Sequence, residues 1–132
     1  MTMELKMLVL VSLLTVVLAF VGAIALILQR GLVYGLGNRD QPEPLPDWGE
    51  RALRAHRNML ENLPPFAALV LVAQVAGISN EATAFGAVLF FWGRVAHAII
   101  YIAGIPYLRT VAFAVSFIGM LRIAGELASH WS

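Results

Sequence analysis

Cysteine is absent from the 132-residue sequence, and charged residues are few. Without cysteine the chain has no disulfide, no thiolate metal ligand and no cysteine nucleophile. Charged residues make up 13% of the chain and the formal net charge is +1, so the sequence lacks the basic surface that nucleic-acid binding requires. His56 and His97 have no histidine or carboxylate companions at ligand spacing, so no metal site is predicted. These absences exclude disulfide scaffolds, nucleic-acid binders and simple metal sites.

Apolar residues dominate instead, at 60% of the sequence, and the mean hydropathy is +0.80. Such values are typical of an integral membrane protein, and the length corresponds to a single domain spanning residues 1–132. The hydropathy pattern predicts four membrane helices. The first, third and fourth span residues 7–28, 81–103 and 106–127. The second begins near Trp48 and enters the membrane around Leu63. The first of these is longer than the apolar core of a signal peptide, so it is predicted to be a membrane helix.

The predicted connections differ in length and in charge. The first, GLGNRDQPEPLPDW, is long and rich in proline, whereas GISN and GIP are short turns. Basic residues concentrate on the side of the first and third connections; they are Arg30, Arg39, Arg51, Arg54, Arg57 and Arg109. The opposite side has only Lys6 and Arg122. The positive-inside rule then predicts a multi-pass protein with both termini on the non-cytoplasmic side.

Two polar stripes lie in the predicted second and third helices. At about 100° per residue, the stretch ERALRAHRNMLENLPPF places polar side chains within an arc of roughly 80°; they are Arg51, Arg54, Asn58 and Glu61, with Arg57 adjoining. In RVAHAIIY, the spacing i, i+3, i+7 puts Arg94, His97 and Tyr101 on one face. The sequence therefore predicts two polar helix faces in the cytoplasmic half of the protein.

Arg94 lies near the middle of its predicted helix, where an arginine costs at least ~3 kcal/mol on insertion scales unless it is partnered. Glu61 is the candidate partner, and one interpretation is a charge pair that holds two helices together. The other interpretation is an anion-binding site, because arginines outnumber Glu61 in the two stripes. A carboxylate-bearing ligand would balance the excess.

On these residues the chain resembles the superfamily of membrane-associated proteins in eicosanoid and glutathione metabolism (MAPEG). The first stripe matches the family spacing of arginine, asparagine and glutamate through Arg54, Asn58 and Glu61. The block RVAHAIIY, followed by Arg109, matches a second family block. The resemblance extends over nearly the whole chain and implies an all-α, integral membrane four-helix bundle that forms a homotrimer.

The same resemblance implies the ligands and the site. Glutathione would be held between neighbouring subunits, and a hydrophobic electrophile would arrive from the bilayer. The residues that the resemblance assigns to glutathione are Arg30, Arg54, Arg57, Asn58, Glu61, Arg94, His97, Tyr101 and Arg109. Glu61 suits the ammonium group of glutathione, the arginines suit its carboxylates and thiolate, and Arg30 would reach across a subunit boundary.

Arg109 and Thr110 are the predicted catalytic residues. Arg109 would stabilise the glutathione thiolate from the first turn of the last helix, and Thr110 would add a hydroxyl hydrogen bond. The predicted function is conjugation of glutathione to small hydrophobic electrophiles, with lipid hydroperoxide reduction as a second activity. The alternative is a catalytically silent membrane protein that binds an anionic amphiphile or lipid in the same pocket. Prostaglandin isomerase activity is disfavoured, because Thr110 replaces a serine and GIPYLRT is shorter than the corresponding family segment.

Overall fold

The computed structural model describes residues 1–132 and contains helices but no strands, as predicted. The helices are α1 (Met3–Arg30), α2 (Leu32–Leu36), α3 (Asp47–Val75), α4 (Glu81–Ala103) and α5 (Pro106–Ala128). Three of them, α1, α4 and α5, are long and apolar enough to cross a membrane. The sequence interpretation counted α3 as a fourth such helix, but the charges in its first half keep it out of this group.

Local sequence signals set the limits of α4 and the start of α5. The Asn80 side chain accepts hydrogen bonds from Ala82 and Thr83, and Thr83 returns one to the Asn80 backbone, which makes a capping box. Gly104 ends α4 in the left-handed conformation, with φ of 82°. Pro106 then begins α5 at the first helical position, where the backbone N–H that proline lacks would have no partner within the helix. The predicted bounds of α4 are confirmed.

The first connection contains a helix that the sequence interpretation did not identify. Gly31 ends α1 with φ of 86°, and the short helix α2 follows before the chain crosses to α3. Within α3, Pro64 and Pro65 remain inside the helix.

Close backbone packing joins α4 to α5. A Cβ atom on Gly119 would lie 2.5 Å from the Gly86 carbonyl oxygen, and one on Gly93 would lie 2.7 Å from the Ser116 nitrogen. No side chain larger than hydrogen fits at these contacts without moving the helices. The relative position of α4 and α5 is therefore fixed along their length.

Aromatic and small residues form the rest of the core. Phe66 of α3 stacks on Phe90 of α4 with ring centroids 3.9 Å apart and planes within 8° of parallel. Helix α1 packs on α3 where Gly22 faces the Leu53 side chain, and a Cβ atom on Gly22 would approach Leu53 to 2.7 Å. Helix α3 therefore packs against both α1 and α4, and α1 also contacts α4 directly.

Polar residues form a closed network at the end of the molecule that holds both chain termini, here called the terminal end. Glu4, only 3% exposed, accepts hydrogen bonds from the hydroxyl groups of Ser79 and Thr83. Asn80 donates to Glu126 Oε1 at 2.7 Å. The network ties α1 and α5 to the turn between α3 and α4.

Candidate functional site

A polar cavity of about 280 Å³ lies at the opposite end of the molecule, called the loop end because it carries α2, the first connection and the α4–α5 turn. Helices α3, α4 and α5 contribute its lining, which consists of Asn58, His97, Tyr101, Arg109, Thr110 and Phe113. All of these except Phe113 were predicted as site residues. The fold therefore brings residues from three helices, far apart in sequence, into one cavity.

Arg94 lies next to this cavity and contacts two of the residues that line it, Asn58 and His97. Its side chain is fully buried, and Nη2 donates to Asn58 Oδ1 at 2.8 Å. Nη2 also lies 3.4 Å from His97 Nδ1, and because a guanidinium can only donate, this histidine nitrogen accepts. The Nε and Nη1 atoms of Arg94 are buried without any hydrogen-bond partner. Arg94 thus has donor capacity that the chain itself does not use.

The buried guanidinium lies at membrane depth. Between Arg94 and the end of α4 at Ala103, a rise of ~1.5 Å per residue gives about 14 Å. Asn58, which is bonded to Arg94, lies at the same depth. The only ion pair within the chain joins Arg30 to Glu43, so no carboxylate of the same chain neutralises Arg94. Glu61, the partner considered from sequence, is exposed and makes no such pair.

Arg109 supplies a second cation to the cavity. Its Cζ atom lies 4.5 Å from the centroid of the Tyr101 ring, a cation–π distance. His97 packs edge-on against the same tyrosine with centroids 5.4 Å apart. Arg109 and Thr110 follow Pro106 in the first turns of α5, where free backbone N–H groups favour an anion. A permanent cation, a helix N-terminus and a hydroxyl group therefore converge on one side of the cavity.

Other predicted site residues lie outside the cavity. Arg54, Arg57 and Glu61 are exposed on α3 and make no side-chain hydrogen bond or ion pair within the chain. Arg30 is engaged elsewhere, with Nη1 2.6 Å from Glu43 Oε2 and its guanidinium 4.3 Å from the Tyr34 ring centroid. A contact from Arg30 to a ligand in another subunit would have to compete with this pairing.

The structure also reveals participants that the sequence interpretation missed. Phe113 follows Arg109 by one helical turn, so its spacing places it on the cavity face of α5. Arg51 donates from Nε to the Ile102 carbonyl at 2.9 Å, which satisfies one of the free carbonyls at the end of α4. The spacing of Arg51 matches the ligand stripe, and nothing in the sequence distinguishes its capping role.

Comparison with known proteins identifies a family and a relative that this chain resembles. The sequence model described as the MAPEG family matches residues 7–129. The chain is similar to prostaglandin E synthase of Equus caballus, with 34% identity over 86 residues. That alignment covers 61% of this chain and 56% of the relative, so the chain spans little more than half the length of that protein.

Proposed function

Because the chain belongs to the MAPEG family, we propose that it is a membrane-bound glutathione transferase that conjugates glutathione to small hydrophobic electrophiles. One observation carries the proposal: the guanidinium of Arg94 is fully buried at membrane depth, and two of its nitrogens have no partner. A buried charge of this kind requires compensation. It lies behind a polar cavity that contains a second unpaired cation, Arg109.

Glutathione has the groups that this arrangement lacks. Its two carboxylates complement the arginines, and its ammonium complements Glu61. Asn58, His97 and Tyr101 provide neutral hydrogen-bonding groups in the same cavity. The cavity volume of about 280 Å³ holds part of a tripeptide, and the rest would extend toward the exposed face of α3 that carries Arg54 and Arg57.

The proposed chemistry begins with the thiol. A free thiol with a pKa near 8.5 is only a few per cent ionised at neutral pH. Arg109, the N-terminal amides of α5 and the Thr110 hydroxyl would stabilise the thiolate, and the thiol proton would pass to water. The thiolate sulfur then attacks the electrophilic carbon, a carbon–sulfur bond forms, and a leaving group such as chloride departs with the bonding electrons.

Substitution of Arg109 tests the role of this residue directly. Wild-type protein titrated with glutathione at neutral pH should show the ultraviolet absorption band of a thiolate and should conjugate chlorodinitrobenzene. Arg109→Ala should lose the band and slow conjugation at least ~tenfold, which corresponds to about 1.4 kcal/mol. Arg122→Ala, at an exposed position on the same helix, is the matched control. If Arg109→Ala binds glutathione and keeps both the band and the rate, the assignment is wrong.

Assembly into a homotrimer is part of the proposal. Glu61 lies one helical turn beyond Asn58, hence at membrane depth, and it is exposed without a partner in its own chain. A single subunit would leave this charge facing lipid, whereas a neighbouring subunit can cover it. Native mass spectrometry in mild detergent should show three copies. A stable monomer that still binds glutathione would contradict the proposed intersubunit site.

Glu61 is proposed to bind the glutathione ammonium. Glu61→Gln should weaken glutathione at least ~tenfold, about 1.4 kcal/mol, because a charged partner is lost in a partly dehydrated site. The same substitution should affect a des-amino analogue much less, and isothermal titration measures both affinities. Equal losses for the two ligands would show that Glu61 acts in folding or assembly instead.

A second candidate function is prostaglandin E synthesis, which the similarity to the equine enzyme favours. Formation of prostaglandin E from its endoperoxide precursor by purified protein with glutathione tests it. The same preparation should be assayed with chlorodinitrobenzene, so that the two rates can be compared directly. Thr110→Ser provides a further variant for both assays, because it keeps the hydroxyl group and removes only the methyl group of the threonine side chain.

A further inference from the structure

A second, larger cavity lies on the other face of α3 and takes no part in the proposed glutathione chemistry. Its volume is about 450 Å³, within the range of ligand-binding cavities. Helix α1, α2, the first connection and the start of α3 enclose it. The lining residues that bear on its chemistry are Ala19, Ala23, Leu26, Tyr34, Arg39 and Glu50. None of them lines the glutathione cavity.

One side of this cavity is an apolar trough along α1. Ala19, Ala23 and Leu26 succeed one another at i, i+4 and i+7, so they lie on one helix face. Between Ala19 and Leu26 the trough is about 10 Å long at ~1.5 Å per residue. The trough has room because Ala19 and Ala23 have small side chains and Gly22 beside them has none. The trough has the length and chemistry to take the first part of an acyl chain.

The other side of the cavity carries one cation and one anion that are free to bind a ligand. Arg39 uses only Nε, which donates to the Gly35 carbonyl at 3.0 Å, and its terminal nitrogens have no partner in the chain. Glu50 Oε1 accepts from Leu45 N at 3.0 Å, and its second oxygen has no partner. Glu43 is already neutralised by Arg30. The free groups are therefore a guanidinium end and a carboxylate oxygen.

The loop holds Arg39 over the cavity. Arg39 has φ of 58°, a left-handed conformation that costs energy for a residue with a Cβ atom. The Tyr34 hydroxyl stabilises this conformation by donating to the Arg39 carbonyl at 3.1 Å. Arg30 covers one face of the Tyr34 ring, and Tyr34 is the one aromatic residue that lines the cavity, so the cavity lacks the aromatic cage that binds a quaternary ammonium group. A primary ammonium, which can donate hydrogen bonds, suits Glu50 better.

We propose that this cavity binds phosphatidylethanolamine from the surrounding bilayer. Arg39 receives the phosphate, Glu50 receives the primary ammonium, and the trough formed by Ala19, Ala23 and Leu26 receives the beginning of an acyl chain. The remainder of both chains stays in the bilayer beside the exposed face of α1, which carries Phe20 and Ile24. Glutathione is also zwitterionic, but it has no apolar chain to fill the trough.

Native mass spectrometry of the full-length protein, delipidated by detergent exchange, tests the proposal. Dioleoyl phosphatidylethanolamine, phosphatidylcholine and phosphatidylglycerol are added back separately at equal concentrations. At the same mild activation, the ratio of lipid-bound to free protein should be at least ~tenfold higher for phosphatidylethanolamine than for the other two lipids, about 1.4 kcal/mol by the affinity relation. Equal retention of the three lipids would overturn the proposal. Displacement of phosphatidylethanolamine by millimolar glutathione would also overturn it and would reassign the cavity.

Variants separate this cavity from ordinary lipid contact. Glu50→Gln keeps an acceptor for Leu45 and removes the charge, and Arg39→Asn removes the cation while tolerating the left-handed backbone. Each should lower phosphatidylethanolamine retention at least fivefold, on the order of one lost charge-assisted hydrogen bond. Ala23→Phe should abolish retention by filling the trough, whereas Ile24→Phe adds similar bulk on the exposed face and should not.

Ala23→Leu provides a smaller filling variant should the phenylalanine variant fail to fold, and thermal unfolding midpoints identify such failures. Folded Ala23→Leu or Glu50→Gln protein with wild-type phosphatidylethanolamine retention would overturn the proposal. Loss of retention in these variants together with unchanged Ile24→Phe behaviour would support it.

Discussion

The two ends of the molecule both bury polar side chains, but they do so in opposite ways. At the terminal end, Glu4 receives two hydroxyl hydrogen bonds, and Asn80 bonds both its own helix and Glu126. At the loop end, Arg94 is fully buried with two unpartnered nitrogens, and Arg109 has no carboxylate partner. The terminal end is complete within one chain, whereas the loop end is not.

The comparison separates polar groups that stabilise the fold from polar groups that are available to bind a ligand. A buried polar group that is satisfied within the chain contributes to folding, and its removal leaves its partners unpaired. A buried charge without a partner costs stability, and a ligand or a second subunit that compensates it recovers that cost on binding. Substitutions at the terminal end should therefore lower stability alone, and substitutions at the loop end should change affinity.

The largest expected effect is loss of the folded state, which would disrupt the polar groups at both ends of the molecule. Gly119→Leu places a side chain where a single Cβ atom would already lie 2.5 Å from the Gly86 carbonyl oxygen. The α4–α5 pair must then separate, at a cost of more than ~3 kcal/mol for such overpacking. Gly125→Leu is the control on the same helix, because nothing lies within 4 Å of a Cβ atom there. Folded yield by size-exclusion chromatography should collapse only for Gly119→Leu, and equal yields would refute the packing argument.

The next largest effect is a loss of stability that leaves the affinity for glutathione unchanged. Glu4→Leu removes the acceptor of the Ser79 and Thr83 hydroxyl groups and should lower the free energy of unfolding by about 2 kcal/mol. Glutathione affinity should stay within about twofold of wild type, since the substitution lies at the end away from the cavity. Glu81→Leu, an exposed acidic position without a side-chain partner, should cost less than ~1 kcal/mol. Thermal unfolding in detergent and isothermal titration measure the two quantities, and a large affinity loss in Glu4→Leu would show that the ends are coupled.

A third substitution gives the buried arginine at the loop end a charged partner within the chain, so that this end, like the terminal end, has its buried charge satisfied. Asn58→Asp places a carboxylate on Arg94 Nη2, where Asn58 Oδ1 now lies at 2.8 Å. The charged hydrogen bond should raise stability by about 1 kcal/mol, while the added negative charge should weaken glutathione about tenfold. Asn62→Asp introduces the same charge one turn along α3 but loses the hydrogen bond from Asn62 Nδ2 to the Asn58 carbonyl, so it should lower stability instead of raising it. The proposal fails if Asn58→Asp is more stable and still binds glutathione as wild type does.

Much of the helical framework was predictable because hydropathy and local signals determine it. Asn80, Gly104 and Pro106 mark the bounds of α4 and the start of α5 in the sequence itself. The helix α2 was missed, since five residues between a glycine and a proline-rich segment carry no periodic signal. The span predicted within α3 from around Leu63 stays a prediction, because charged residues in the first half of this helix make it less apolar than α1, α4 and α5.

The candidate site was predictable where residues on one helix face also meet another helix. Asn58, His97 and Tyr101 share the cavity because their spacing and the packing of α3 on α4 agree. Arg54, Arg57 and Glu61 have similar spacing but remain on the exposed face of α3, where one chain provides no partner. Helical spacing identifies a face and does not identify what covers it.

Arg51 gives the smallest predicted effect and tests the difference between a ligand arginine and a capping arginine. Its Nε donates to the Ile102 carbonyl at the end of α4, immediately before the turn that leads to Arg109. Arg51→Met keeps the side-chain stem but loses this bond, which should cost about 0.5 to 1 kcal/mol of stability. Loosening of the turn should raise the KM for glutathione about twofold, with kcat nearly unchanged, because Arg109 would remain in place for its proposed role at the thiolate. Arg122→Met is the control at an exposed position, and steady-state kinetics with thermal unfolding compare the two variants. A loss of more than ~tenfold in glutathione affinity for Arg51→Met would instead make Arg51 a direct ligand of glutathione.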